Sequence, residues 1–416
     1  MDPRTRVDRR RRRRRRRVIG ALTVLLLLVC AAVVQLERGV TGAKAAVVLR
    51  QISVVPGRAI PMPWPTDATA AVQVDGIASL GGERANVVRP LASVTKLITA
   101  LVVLRQHPLR VGEGGPAIRF TAADETAYRR DLAQGQSVLK VSAGERLTEL
   151  QALEGMLIPS ADNVARVVAR WSAGSGSAFV KDMNQEAAQL GLRHTHLVGP
   201  SGLDPGSVGT AADMVRVGAA VMANPVLRQI VAMSSVTLPV AGTVDNYDSV
   251  IGQSGIVGIK TGSMSAAGGN FVFAAEHRVG GRTLTIIGAV LGARGLEPLQ
   301  TALDEATRLA AAAAAAVHRV VLLGSGRRVL SVTSDWASRV QVLTARAATV
   351  LAVPGQRLTV RVIVAPKYRA RKFDRLSAGE RMGTVEIRYN GESLALPVRA
   401  AAKLPPPSLF YRLTRL

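Results

Sequence analysis

The chain has 416 residues, room for two or three domains at roughly 150 residues each. Hydrophobic residues make up 48% but aromatics only 3%, so any core has to be assembled from Ala, Val and Leu. The net charge of +25 is uneven: residues 1–17 hold eleven Arg against two Asp, residues 318–416 hold eighteen Lys/Arg against five Asp/Glu, and the middle is close to neutral. That division argues against a specific nucleic-acid binder, which a global pI would suggest, and the single cysteine, Cys30, excludes a disulfide framework within the chain.

Residues 9–17 are an unbroken arginine run, and residues 18–36 (VIGALTVLLLLVCAAVVQL) are apolar and uncharged. Nineteen helical residues at 1.5 Å each span about 28 Å, close to the ~30 Å hydrocarbon core of a bilayer. Arginines on the N-terminal flank keep that side cytoplasmic and send the rest across. The expectation is a cytoplasmic tail (1–17), an uncleaved single-pass anchor (18–36) and an extracytoplasmic remainder. A cleaved signal peptide is the competing reading, with Ala43-Lys44-Ala45 as a small-x-small site, but the apolar run is longer than a usual signal core.

Residues 37–69 read as a linker, with proline-rich 54–65 extended. A strand is expected at 70–74, and helices at 93–106, 148–158, 162–171 and 179–190, the last closed by Gly191. Residues 256–260 and 270–274 read as paired strands across a Gly/Ser-rich turn, and 299–317 as an Ala-rich helix on a sheet. From 318 to 404 short Val/Leu/Ile runs alternate with turn signals. The clearest is Asn390-Gly391 between 385–389 and 393–398, a type I′ hairpin signature. This is expected to be a small all-β domain after a catalytic region at 70–317, with residues 405–416 as a C-terminal tail.

Three short elements carry chemistry. Ser93-Val94-Thr95-Lys96 opens a helix, which puts a serine and a lysine on one face, three residues apart. A neutral Lys96 could take the Ser93 hydroxyl proton, which requires burial or neighbouring cations to depress its pKa. Ser160-Ala161-Asp162-Asn163 sits where a loop enters a helix; Ser160 is either an N-cap or a hydroxyl that relays a proton to a leaving amine. Lys260-Thr261-Gly262 ends a strand, and such a lysine and hydroxyl can clamp a carboxylate while glycine admits a substrate backbone. Each is weak alone; S-x-x-K, S-D-N and K-T-G in order form a known combination.

Around these motifs the chain resembles the D-alanyl-D-alanine carboxypeptidases among low-molecular-mass penicillin-binding proteins, the S11 serine peptidases. The similarity includes RPLASVTKL (89–97), VSAGERLTELQALEGMLIPSADNVA (141–165), FVKDMNQEAAQLGLRHTHLVGPSGLDP (179–205), GIVGIKTGSMSAAGGN (255–270) and AGERMGTVEIRYNGESLALPV in the C-terminal region. The resemblance implies an α/β (α+β) fold of β-lactamase/transpeptidase type: a central antiparallel sheet flanked by helices, followed by the small β-domain. It implies Ser93 as nucleophile on the terminal D-Ala-D-Ala of a peptidoglycan stem peptide, Lys96 as general base and Ser160 as proton relay. Lys260 and Thr261 would hold the substrate carboxylate, with Gly262 beside them. The backbone N–H groups of Ser93 and Ser263 would form the oxyanion hole. β-Lactams would acylate the same serine, and no cofactor or metal is called for.

The family's middle motif is usually Ser-x-Asn, whereas this chain has Asp162 at the third position and Asn163 after it. Asn donates a hydrogen bond to a substrate carbonyl and ionised Asp cannot. Either Asp162 or Asn163 occupies the substrate-binding position. His194-x-His196 could pair on a metal, but no acidic or cysteine partner is near in sequence, and Glu154 and Asp213 are expected to be structural. Two rival functions remain: a class A-like β-lactamase, disfavoured by the absence of a Glu-x-x-Leu-Asn block, and a non-catalytic penicillin-binding scaffold disabled by Asp162. The basic β-domain would contact anionic wall polymers or lipid headgroups.

Overall fold

The computed structural model describes residues 3–369, 373–389 and 391–415. An N-terminal helix runs Pro3–Glu37. Its stretch Arg11–Glu37 is long and apolar enough to cross a membrane, and none of its most apolar window is buried. The chain divides into two compact units: one takes 56–319 with 351–356, the other 1–55 (with this helix), 320–350 and 357–416.

The larger unit is built on a five-stranded antiparallel sheet ordered Ile256–Met264, Gly268–Val279, Arg282–Ala293, Thr69–Val74 and Ala78–Glu83. Successive residues of the strand Gly268–Val279 divide between two cores, as a period of two requires. Phe271 and Phe273 face one side with Ala70, Val72, Ile286 and Val290, where the helix Pro298–Ala316 packs through Ala302, Ala306, Ala310 and Ala313. Val272 and Ala274 face the other side with Ala71, Ile287 and Ala289, beneath the helices Lys96–Gln106 and Ala211–Ala223. Small residues replace missing aromatics: a Cβ on Gly288 would lie 2.2 Å from the Phe273 ring, so glycine there is what lets the ring lie flat on the sheet.

The strands expected at 70–74, 256–260 and 270–274 are all in this sheet, with Lys260 opposite Val272. The central strand Arg282–Ala293 is not among the expected elements, nor are the helices Ala122–Ala133, Ala211–Ala223 and Pro225–Val231. Capping explains several starts. Thr121 and Thr148 each form a reciprocal capping box, and Asn224 accepts from both Val226 and Leu227 ahead of a proline-led turn.

The smaller unit holds a six-stranded antiparallel sheet ordered Lys44–Val47, Arg328–Thr333, Val340–Thr344, Glu392–Ala400, Arg381–Tyr389 and Thr359–Val364. Its inner face buries Leu330, Val332, Val342, Val385, Ile387, Leu396 and Val398. The expected hairpin pairs Tyr389 with Glu392; Asn390 of its turn lies outside the described residues. The stretch expected as a linker, 37–69, contains the edge strand Lys44–Val47, which pairs with Arg328–Thr333. KAAV is too short and too small to announce itself as a strand, and the neighbouring strand's free edge supplies what its own sequence lacks.

Candidate active site

Ser93 sits on a 3-10 turn, Ala92–Thr95, that runs directly into the helix Lys96–Gln106. Three contacts hold the approach to this turn. Asn270, fully buried, donates to the carbonyls of Pro90 (3.0 Å) and Leu91 (2.9 Å) and accepts from the Gly292 N–H (2.8 Å). Leu91 N–H donates to Ser207 O at 2.9 Å. Gly202 lies against Ala92, where an added Cβ would come within 1.8 Å of the Ala92 carbonyl oxygen. Ala92 itself adopts φ +47°, a left-handed conformation that alanine takes at a cost of roughly 1–3 kcal/mol.

The strand Ile256–Met264 passes over the start of the turn. A Cβ on Gly262 would sit 3.0 Å from Ser93 N and 3.1 Å from Val94 N, so the glycine of K-T-G is what allows strand and turn to touch. That approach sets the Ser93 N–H beside the chain that continues into Ser263.

Lys96 is fully buried, and its ammonium donates three hydrogen bonds: to Ser93 Oγ at 2.8 Å, Asp162 Oδ1 at 2.6 Å and the Ser201 carbonyl at 2.9 Å. Burial pulls its pKa below the usual lysine value. Asp162 works against that pull, and Arg166 adds to it. The lysine is therefore shifted toward the neutral form a base requires, with a carboxylate in contact that favours the charged form.

Of the two residues competing for the middle position, Asp162 faces Lys96 and Asn163 does not. Asp162 opens the helix Asp162–Ala173, and its own N–H donates to Ser137 O at 2.8 Å. Asn163 spends both amide atoms on Leu139, accepting from its N–H at 3.0 Å and donating to its carbonyl at 2.9 Å. The idea that Asn163 fills the substrate-binding role therefore finds no support in the geometry. Ser160 lies two residues before Asp162 and adopts φ +61°, left-handed like Ala92.

Lys260 is 1% exposed and its Nζ has no hydrogen-bond partner among the described residues, a condition that asks for an anionic guest. Burial, with Lys96 adding to it, lowers its pKa to about 7, against opposition from Asp248 and Asp162. Asp248, also buried, accepts from Val250 N–H at 3.2 Å through Oδ1, while Oδ2 has no partner among the described residues. Burial raises its pKa to about 6, moderated by that hydrogen bond and by Lys260. Thr261 is buried beside Lys260 on the same strand.

The remaining candidates are structural. Asp213 accepts from the His194 N–H (2.9 Å) and Thr195 Oγ1 (3.0 Å), and the His196 backbone pairs with Val208. Glu154 is buried inside the helix Glu149–Leu157, and burial raises its pKa. Ser201, Gly202, Asn270 and Asp248 do not stand out in the sequence. Gly202 lies in PSGLDP and Asn270 ends GIVGIKTGSMSAAGGN, so the blocks were visible although the roles were not.

A family model described as D-alanyl-D-alanine carboxypeptidase matches residues 63–295. A D-alanyl-D-alanine carboxypeptidase of Mycobacterium tuberculosis is 34% identical over 241 residues, covering 56% of this chain and 78% of its own length. One from Streptomyces sp. strain K15 is 29% identical, covering 50% of this chain and 74% of its own. Among solved structures, the Streptomyces K15 DD-transpeptidase superposes with a TM-score of 0.54 at 26% identity, over 61% of this chain and 99% of that one. Penicillin-binding protein 5 of Haemophilus influenzae shares the fold at 19% identity, with a TM-score of 0.55 over 84% of this chain and 98% of that one.

Proposed function

The chain belongs to the D-alanyl-D-alanine carboxypeptidase family, and we propose that Ser93, Lys96, Ser160 and Lys260 are the groups with which it works. The enzyme is a serine-type carboxypeptidase that removes the terminal D-alanine of peptidoglycan stem peptides through an acyl-enzyme, and β-lactams acylate the same centre. The observation that carries the residue assignment is the 2.8 Å contact between Lys96 Nζ and Ser93 Oγ, made by a fully buried lysine.

In this reading neutral Lys96 takes the hydroxyl proton as Ser93 Oγ bonds to the carbonyl carbon between the two D-alanines. The oxyanion is met by the N–H groups of Ser93 and Ser263. The C–N bond then breaks, and the departing amine receives a proton from Lys96 through the Ser160 hydroxyl. Water attacks the resulting ester by the same route in reverse roles, and Ser93 recovers its proton. The ammonium of Lys260, with the Thr261 hydroxyl, pairs with the substrate's terminal carboxylate, filling the place its missing hydrogen-bond partner leaves open.

The apolar stretch 18–36 of the Pro3–Glu37 helix is the membrane anchor of this reading, with the arginine run before it cytoplasmic and the residues after it outside. The basic smaller unit then faces anionic wall polymers or lipid headgroups. Fluorescent penicillin tests the assignment: wild-type protein should be labelled covalently and Ser93→Ala should not. Labelling of Ser93→Ala, or its absence in the wild type, refutes the nucleophile. Release of D-alanine from a pentapeptide separates full turnover from acylation alone.

A further inference from the structure

The outer face of the six-stranded sheet carries a row of arginines. Residues directly opposite on neighbouring strands share a face. Arg328 lies opposite Leu343, Leu343 opposite Arg399, and Arg399 opposite Arg381. At about 4.8 Å per strand that row spans roughly 14 Å across four strands. All three arginines are exposed. The same face continues through Arg361, opposite Glu386, and Arg388, opposite Thr359. Arg346 reaches over it to the Ala395 carbonyl at 3.4 Å.

These charges are not balanced locally. Arg388 pairs with Glu386 at 2.7 Å. Among the described residues, Arg381 donates only to Thr384 Oγ1 and Arg399 only to the Gly379 carbonyl, both at 2.8 Å. Among the described residues, too, Arg328, Arg346, Arg361, Arg381 and Arg399 form no ion pair. Like charges directly opposite destabilise a ladder, as Arg381 and Arg399 must until an anion lies between them. In the larger unit Arg129, Arg170, Arg228 and Arg308 each meet a carboxylate, while Arg119 and Arg146 face each other across a two-stranded ladder. At one end of the row a depression lined by Arg50, Arg327, Arg328, Gln341 and Leu343 adds two further cations.

We propose that this face docks a linear polyanion of the cell envelope bearing phosphate or phosphodiester groups. The proposal deepens the wall-contact reading above and rests on export of the unit. Guanidinium forks suit phosphate oxygens bidentately, and cations spaced about 5 and 10 Å apart along a line match a chain of regularly repeated anions better than one small ion. A bilayer surface fits less well. The large apolar side chains this unit exposes at its C-terminus, Leu409, Phe410 and Leu413, belong to the helix Leu409–Thr414, whereas the arginine strands expose Ile363 beside Arg361.

The test uses the full chain in neutral detergent with long-chain polyphosphate as probe. The N-terminal arginines also bind polyanions, so the readout is a difference between variants. Arg328→Gln/Arg381→Gln/Arg399→Gln should weaken binding about 10- to 100-fold and reduce the slope of log affinity against log salt by roughly 2–3. Arg129→Gln/Arg228→Gln/Arg308→Gln removes the same charge elsewhere and should weaken binding less than threefold. Equal losses in the two triples overturn the proposal, as does a larger effect of the first triple on phosphatidylglycerol vesicles than on polyphosphate. D-alanine release from a soluble pentapeptide stays within about twofold of wild type in the first triple. Its loss there alongside unchanged polyphosphate binding would also refute the surface, while leaving the Ser93 assignment to its own penicillin test.

Discussion

The two units treat charge in opposite ways. The larger one takes cations out of water: Lys96 and Lys260 are among its largest fully buried side chains, one held by three acceptors and the other, among the described residues, by none. The smaller one leaves its cations on a solvated face, in register and mostly without carboxylate partners among the described residues. A buried charge costs several kcal/mol unless matched, and these two lysines sit where the proposed reaction would use them. An exposed charge costs almost nothing and can be accumulated for long-range attraction. Substitutions in the first unit should therefore change rates and pH profiles, and those in the second should change salt dependence.

The sharpest break of that contrast is Lys96→Ala, which should slow β-lactam acylation about 10²–10⁴-fold, the usual share of a general base. Stopped-flow labelling reads it, and a loss under tenfold would remove Lys96 from that role. Next comes Asn270→Ala, which removes the side-chain partner of the Pro90 carbonyl and the Gly292 N–H beside the Ser93 turn, while the Leu91 carbonyl keeps the Val94 N–H. At roughly 1–3 kcal/mol for each of the two stranded groups, a loss of about 2–6 kcal/mol is expected in denaturant unfolding, with slower acylation. Asp162→Asn should act in the reverse direction. Without the carboxylate, burial and Arg166 act unopposed on Lys96, its pKa falls further, and acylation at neutral pH rises by up to about tenfold as more of the lysine is neutral. An unchanged acid limb in the pH–rate profile would show that Asp162 does not set the lysine's protonation.

Lys260 gives a smaller, directional effect. Its folded pKa of about 7 lies below its usual 10.5, so the folded state binds fewer protons than the unfolded chain between those values. Stability contributed by this group is therefore complete above about 10.5 and lost as pH falls toward 7. The proposed clamp runs the other way, because only the ammonium would hold a carboxylate. KM for a pentapeptide should rise above about pH 7 while kcat does not fall, with bound substrate displacing that limb upward. Asp248→Asn should move the KM limb to lower pH, and an unmoved limb would disconnect Asp248 from Lys260. Least of all, Arg399→Gln should leave stability within about 0.5 kcal/mol of wild type or slightly raise it, by relieving the facing Arg381.

What could be read in the sequence follows distance along the chain. Ser93 and Lys96 are one helical turn apart, so their meeting is dictated locally. Lys260 and Gly262 needed only a strand and its neighbour. Lys96 meeting the Ser201 carbonyl, and Asn270 reaching Pro90, join residues more than a hundred positions apart. No spacing rule announces such contacts. Asp162 was legible as a departure but not as an orientation, because one helical step decides whether it or Asn163 faces the lysine. The arginine row was legible only as net charge, since register is what aligns it.

Ser160 carries a consequence of its own. At φ +61° a glycine would rest without strain, and exchanging serine for it should relax the backbone by roughly 1 kcal/mol or more. If Ser160 relays the proton as proposed, a search for heat-resistant variants would be drawn to this position and would recover protein that melts later and turns over less. On that proposal the left-handed serine marks a place where durability and catalysis pull the same residue in different directions.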